Sequence, residues 1–152
     1  MSGPPRSAPI APIAPIAPIA PIALLQGDGY VAGACNIGPW EIRRRRAFGV
    51  AGFVAAGLLF AVLVASGAPA WTRLLLLLPL WGGAFSWLQA RRRFCAAFAM
   101  AGIANFGDGD GSRRSVTDVA AHELDMRATV RLTRDSFVIA IVPTVVAVLI
   151  PV

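Results

Sequence analysis

Residues 43–93 read RRRRAFGVAGFVAAGLLFAVLVASGAPAWTRLLLLLPLWGGAFSWLQARRR and decide the fold. The stretch begins with four arginines and ends with three, and two uncharged apolar runs lie between them, separated by a break at residues 67–73. Arginine blocks beside apolar runs are typical of the cytoplasmic ends of membrane helices. The pattern therefore predicts a transmembrane helical hairpin whose two ends lie on the same side of the membrane.

The composition of the whole chain agrees with a membrane protein. Of its 152 residues, 57% are hydrophobic and only 14% are charged, whereas a soluble domain carries about 25% charged residues. The net charge is +6, and all of the basic residues are arginine. A basic chain can indicate nucleic-acid binding, but these arginines adjoin apolar runs, so we expect no nucleic-acid partner.

Both apolar runs of the hairpin, residues 47–90, are long enough to be membrane helices. We predict helices at 47–68 and 74–90, and the first would extend about 33 Å, enough for a hydrocarbon core of about 30 Å. Small residues spaced four apart let two helices approach closely. We predict that the helices pack through Gly49, Gly57, Ala61 and Ala65 on the first and Gly82, Ser86 and Ala90 on the second.

The N-terminal tail, residues 1–26, repeats Ala-Pro-Ile from Ala8 to Ile22. Proline at every third position disfavours helix and favours the extended polyproline II conformation. The tail is either a disordered low-complexity segment or an extended strap that lies on a partner or on lipid. In a strap, one edge would carry Ile10, Ile13, Ile16, Ile19 and Ile22.

Residues 27–46 are glycine-rich at first and are predicted to form an irregular cytoplasmic segment that ends in the arginine block. Ala32 to Cys35 is similar to a lipoprotein cleavage site, but cleavage there would export the arginine block, so we expect none. Residues 91–136 are predicted to be a cytoplasmic or interfacial helical segment. Residues 137–152 form a third apolar run, short and containing Pro143, which we predict to be a third membrane helix.

This organisation predicts an all-α, multi-pass protein of the bacterial inner membrane. The N-terminus would be cytoplasmic, and the hairpin loop and the C-terminus would lie outside. Every arginine except Arg73 would then be on the cytoplasmic side. We expect anionic lipids or acidic partner surfaces to contact the two blocks, Arg43, Arg44, Arg45, Arg46, Arg91, Arg92 and Arg93.

The sequence contains no recognisable catalytic site. The first two predicted membrane helices have no ionisable residue and the third offers only Thr144, which disfavours a transporter. The only histidine, His122, lies outside the spans, so we expect no pigment or haem bound by this chain alone, although lipid or pigment could be contacted through partners. Cys35, Cys95 and His122 are weak candidates for a metal site, because their spacing matches no standard pattern.

Several short motifs resemble those of a family of small uncharacterised bacterial integral membrane proteins. They are Cys35-Asn-Ile-Gly38, Glu41-Ile42, Leu88-Gln89-Ala90, Phe94-Cys95, Gly102 and Asn105-Phe-Gly107. The resemblance covers roughly residues 35–150 and leaves out the Ala-Pro-Ile repeat. It implies a hairpin and a C-terminal apolar span, and it implies that Cys35 and Cys95 lie near one another. It implies no activity.

The sequence favours a non-catalytic accessory subunit of a larger membrane complex, most plausibly a photosynthetic or respiratory one, among other integral membrane subunits. One alternative is a small redox- or metal-responsive membrane protein that uses the two cysteines. The other is an assembly factor, which would be absent from the finished complex.

Overall fold

The computed structural model describes residues 29–107 and 113–151. The chain is mostly helical, with helices α1 at Pro39–Ala65, α2 at Leu77–Arg92, α3 at Ala96–Met100 and α4 at Val119–Leu149. A short 3-10 segment, Ala70–Leu76, leads into α2. The predicted isoleucine edge of the Ala-Pro-Ile tail lies outside the described residues.

Two of the helices, α1 and α4, are long and apolar enough to cross a membrane. Helix α2 packs against α1 on one side and against α4 on the other, so it occupies the centre of the bundle. Helix α3 packs on α4 as well. The chain therefore forms a three-helix arrangement whose irregular parts gather at the end where the arginine blocks lie.

Helix α1 begins eight residues before the predicted span and includes the first arginine block, which corrects the prediction of an irregular segment up to residue 46. Pro39 occupies the first helical position, where its fixed φ suits the helix and its missing N–H is not needed. Glu41 in the first turn and the arginines after it are good helix formers. Gly67, with φ of +65°, follows the end of the helix.

The prediction that the chain is all-α missed a small sheet. Strand β1, Ile103–Asn105, pairs antiparallel with β2, Arg113–Ser115, and Ala104 is opposite Arg114. The segment 91–136 is thus not helical throughout: α2 ends at Arg92, and the next residue, Arg93, has a φ of +52°. Of the described residues beyond it, only those of α3 and the first part of α4 are helical. Strands of three residues are too short for a period-two pattern to reveal them.

The third apolar run is part of one continuous helix rather than a separate element. Helix α4 is capped by Asp118, whose side chain accepts a hydrogen bond from the Ala120 backbone N–H (2.9 Å), and it continues from Val119 through Pro143 to Leu149. The hydroxyl of Thr144 donates to the Ala140 carbonyl (2.8 Å). A proline removes one helix hydrogen bond, but neighbouring groups let long apolar helices tolerate it.

Helices α1 and α2 meet through faces that are rotated relative to the predicted ones. A Cβ built on Gly52 would lie 2.7 Å from the Gly83 Cα, and one on Gly49 would lie 3.1 Å from the Trp87 backbone nitrogen. At Gly57 and Gly82, by contrast, a Cβ would meet nothing within 4 Å. Of the other predicted packing residues, Ala90 is buried, Ser86 is half-buried, and Ala61 and Ala65 are exposed.

Arg73 ties the hairpin loop to the end of α4. Its side chain is buried, and one guanidinium nitrogen donates to the carbonyls of Ala147 (3.0 Å) and Ile150 (2.7 Å). Cations at a helix C-terminus satisfy the last carbonyls and complement the helix dipole. The hairpin loop and the C-terminal end of α4 therefore lie at the same end of the bundle.

Candidate functional site

At the opposite end of the bundle, a cluster of polar side chains joins three parts of the chain. We call it the Asn36 cluster; its members are Asn36, Glu41, Arg45, Gln89, Cys95 and Asn105. All of these residues are buried except Arg45, which is half-buried. Buried polar groups in proteins are nearly always hydrogen-bonded, so the partners of this cluster show what it does.

The Asn36 side chain forms two hydrogen bonds with the backbone of Cys95, one as donor and one as acceptor. Its amide nitrogen donates to the Cys95 carbonyl (2.9 Å), and its amide oxygen accepts from the Cys95 backbone N–H (2.6 Å). Cys95 lies at the break between α2 and α3, where the backbone is extended and helix bonds are missing. The Asn36 side chain thus provides the acceptor for the Cys95 N–H that this break would otherwise leave without one.

The backbone of residues 36–38 is held on both sides. The Arg93 carbonyl accepts from the N–H groups of Asn36 (3.1 Å) and Ile37 (3.3 Å). On the other side, the Asn105 N–H donates to the Asn36 carbonyl (2.9 Å), and the Gly38 N–H donates to the Asn105 carbonyl (2.7 Å). The segment before α1 therefore pairs with the α2–α3 break and with β1 at once.

Gly38 is required by this close approach. A Cβ at Gly38 would lie 2.6 Å from the carbonyl oxygen of Phe106 and 2.8 Å from its Cα. Because these are backbone atoms, they cannot turn aside as a flexible side chain could. The Cys-Asn-Ile-Gly sequence thus supplies the asparagine that forms hydrogen bonds at the α2–α3 break. It also supplies the glycine that allows the end of β1 to lie close to this segment.

Gln89 supports the same break from the end of α2. Its side-chain oxygen accepts from the Ala96 backbone N–H (3.3 Å), and its own carbonyl accepts from the Phe94 N–H (3.0 Å). The ring of Phe94, which is almost fully buried, packs with Leu132 of α4. The break is consequently fixed by hydrogen bonds on one side and by apolar packing on the other.

Glu41 and Arg45 add charge to the cluster. The Glu41 carboxylate is 1% exposed and forms ion pairs with Arg44 (3.5 Å) and Arg45 (3.7 Å). Arg45 also donates to the sulfur of Cys95 (2.9 Å). A buried carboxylate is costly without a cation nearby. Arg45 therefore points into the protein, which corrects its prediction as a lipid- or partner-contacting arginine.

A second buried polar contact fastens the segment before α1 to α4. The Asp125 carboxylate, 0% exposed, accepts from the Tyr30 hydroxyl (2.9 Å) and the Gly33 backbone N–H (2.6 Å). Burial raises the pKa of Tyr30 above its usual range, and the hydrogen bond to Asp125 raises it further. The phenol is therefore protonated at neutral pH and is the donor in this hydrogen bond.

The three candidate metal ligands lie in different surroundings. Cys95 is fully buried beside Arg45, Cys35 is half-buried, and both are free thiols. Asn36, which follows Cys35 in the sequence, forms hydrogen bonds with the Cys95 backbone. The two cysteines therefore lie on either side of this contact. His122 lies on α4, and within residues 29–107 and 113–151 no three His, Cys, Asp or Glu side chains form a group suited to a metal ion.

Cys35 is expected to react slowly with alkylating reagents at neutral pH. Burial raises the pKa of its thiol, so at a given pH less thiolate, the reactive form, is present than in an unfolded chain. We expect its alkylation by iodoacetamide, followed by peptide mass spectrometry, to be slower than in denatured protein and to accelerate as the pH rises above the normal thiol range.

Cys95 is the internal control for that measurement, because it is inaccessible and should remain unmodified until the protein unfolds. Alkylation of Cys95 ahead of Cys35 in folded protein would contradict the structure.

Sequence reasoning missed the roles of Asn36, Glu41, Gln89, Asn105 and Asp125. Four of these residues occur in short motifs named in the sequence analysis, and the structure brings those motifs together around the α2–α3 break. No local pattern could have found Asn36 or Asp125, because their partners lie far away in the sequence.

Comparisons with protein-family models, with curated proteins and with solved structures found no match for this chain. The Asn36 cluster fixes the end of the helical bundle through paired backbone groups, a carboxylate in ion pairs with two arginines, and three buried side-chain amides.

Proposed function

We propose that this protein is a non-catalytic accessory subunit of a larger bacterial membrane complex, of the energy-transducing kind found in photosynthesis or respiration. In this proposal α1 and α2 form a transmembrane hairpin in the inner membrane, and the apolar half of α4 is a third span. The N-terminal side and both arginine blocks are cytoplasmic, and the C-terminus is outside.

The observation that carries the proposal is how little of the two long apolar helices is covered. In the most apolar part of α1 only 11% of residues are buried, and in that of α4 only 28%. Leu58, Val62 and Val142 are among the large apolar side chains that face outward. Such faces require lipid tails or the helices of other subunits.

The non-catalytic part of the proposal is supported by what surrounds those faces. The apolar part of α1 carries no ionisable side chain, and the polar groups of α4 within its apolar half, such as Thr144, bond to its own backbone. Intramembrane ionisable groups usually mark ion or proton pathways. The buried polar groups of this chain instead hold its own segments together, which suits a scaffold.

The test is gentle detergent extraction of the native membrane, followed by sizing and mass spectrometry of the proteins that migrate with this chain. We expect stoichiometric co-migration with a large, mature membrane complex. Migration as a free monomer or small oligomer would contradict the proposal. Association only with immature intermediates would contradict it too and would favour the assembly-factor alternative.

The redox- or metal-responsive alternative is separated by a double Cys35→Ala and Cys95→Ala variant. A structural subunit should keep its place in the complex with both thiols removed. Loss of a bound metal or of a redox response in the variant, with assembly intact, would favour the alternative.

A further inference from the structure

Two adjoining clefts lie where the polar ends of α1 and α2 meet. One has a volume of about 430 Å³ and the other about 420 Å³. Both are lined by Ile42, Arg46 and Arg93; Trp87 and Arg91 complete the first, and Arg43 lies in the second. Among the described residues, no acidic side chain lines either cleft. The pair is a basic, partly apolar recess, which we call the arginine clefts.

The arginines of the two blocks divide according to whether they face these clefts. Arg44 and Arg45 form ion pairs with Glu41, and Arg92 forms one with Asp135 (2.6 Å). The cleft arginines, in contrast, have guanidinium groups that form no ion pair with any residue in the described part of the chain: Arg43, Arg46, Arg91 and Arg93. Within residues 29–107 and 113–151, the block arginines outside the clefts are thus paired with carboxylates, and those inside the clefts are not.

The positions of the cleft arginines are fixed by the fold. Arg46 is within the rigid α1 helix, and Arg91 is within the last turn of α2. Arg93 has a left-handed backbone, φ +52°, and its carbonyl is held by two hydrogen bonds from Asn36 and Ile37. A non-glycine residue in this conformation is strained. The Asn36 cluster therefore also holds Arg93 where it contributes to both clefts.

The clefts lie at the boundary between the arginine blocks and the apolar helices. Trp87, one helical turn from Arg91 toward the apolar part of α2, is 41% exposed. Tryptophan rings favour the level of the lipid headgroups, and the Ile42 and Ala90 side chains add apolar wall beside the guanidinium groups. A ligand with an anionic group and an apolar part would match both the arginine side chains and the apolar side chains that line the clefts.

We infer that the arginine clefts bind the phosphate of an anionic phospholipid, with the guanidinium groups of Arg46, Arg91 and Arg93 around the headgroup and the glycerol and acyl chains beside Trp87. Arginine binds phosphate through several directed N–H donors, and basic recesses between membrane helices on the cytoplasmic side suit anionic headgroups. The inference rests on the proposed membrane location but not on membership of a complex.

The test is native mass spectrometry of the full-length protein in detergent, titrated with phosphatidylglycerol and, separately, with phosphatidylcholine of the same acyl chains. We expect saturable binding of phosphatidylglycerol and much weaker binding of phosphatidylcholine. The double variant Arg46→Gln, Arg91→Gln should weaken phosphatidylglycerol binding about thirtyfold. The control variant Arg127→Gln, Arg134→Gln loses the same charge outside the clefts and should bind like the original protein.

Four results would overturn the inference. Equal weakening in both double variants, with thermal melting unchanged, would mean that only net charge matters. Equal binding of the two lipids would remove the role of the headgroup charge. Displacement of the lipid by millimolar inorganic phosphate would identify a free anion as the ligand. Unchanged phosphatidylglycerol binding in the Arg46→Gln, Arg91→Gln variant would mean that the clefts do not hold the headgroup.

The lipid-binding inference and the proposed accessory-subunit function can each be contradicted without the other. The lipid experiment uses the purified chain, so its failure leaves the co-migration result intact, and a chain that migrates alone can still bind phosphatidylglycerol.

Discussion

Replacing Asn36 by alanine is expected to lower the free energy of unfolding by about 2–4 kcal/mol. The change removes two hydrogen bonds to the Cys95 backbone, and it leaves the buried Cys95 N–H without a partner, whereas the Cys95 carbonyl keeps the hydrogen bond from the Ala99 N–H (3.0 Å). An unsatisfied buried group costs about 1–3 kcal/mol, and a lost hydrogen bond costs about 1 kcal/mol. The effect should be measured as a fall in Tm and in unfolding free energy of the detergent-solubilised protein.

The matched control is Ser66→Ala, which also removes a side chain-to-backbone hydrogen bond. The Ser66 hydroxyl donates to the Leu63 carbonyl (3.1 Å), but this bond is exposed to solvent. Water can replace it, so we expect a change within about 0.5 kcal/mol. Equal effects at the two positions would mean that the α2–α3 break does not depend on Asn36.

Replacing Gly52 by alanine is expected to destabilise the protein by about 1–3 kcal/mol, because the new methyl group would overlap the backbone of α2. The Cβ would lie 2.7 Å from the Gly83 Cα and 3.0 Å from the Pro79 carbonyl oxygen. Neither atom belongs to a flexible side chain, so α1 and α2 must move apart. Thermal unfolding in detergent measures the loss.

Gly57→Ala provides a control of opposite sign on the same helix. Nothing lies within 4 Å of a Cβ at Gly57, and alanine is favoured over glycine inside a helix by about 0.5–1 kcal/mol. We expect Gly57→Ala to be neutral or slightly stabilising. If Gly52→Ala were equally harmless, the helices would not be in contact through Gly52 and Gly83.

The apolar helices could be predicted from the sequence because one local property, a long uncharged run between arginine blocks, specifies them. The phase of their packing could not. Gly82 and Gly83 are neighbours, and a spacing of four residues from Ser86 selected Gly82, whereas the structure puts Gly83 against Gly52. Which small residue faces the other helix depends on how the two helices are rotated relative to each other. The sequence of one apolar run does not specify that rotation.

The Asn36 cluster was unpredictable from local patterns for a similar reason. Asn36 is 59 residues from Cys95, and Tyr30 is 95 residues from Asp125. A polar residue in a glycine-rich segment reads as a turn until its distant partner is known. The two cysteines stand out by residue type, but the asparagine beside Cys35 makes the hydrogen bonds that organise this end of the protein.

The central proposal is that three helices cross the membrane, with both arginine blocks inside and with the hairpin loop and the end of α4 together outside. The bonds from Arg73 to the Ala147 and Ile150 carbonyls require that the loop and that end share a side. Single cysteines introduced into the double Cys35→Ala, Cys95→Ala chain and labelled with a membrane-impermeant maleimide test this directly.

In intact cells, after outer-membrane permeabilisation only, we expect labelling of Ser66→Cys and Ile150→Cys. Ala97→Cys and Glu123→Cys should be labelled only once the inner membrane is opened. Labelling of Ser66→Cys and Ile150→Cys from opposite sides, or of Ala97→Cys from outside, would contradict the account.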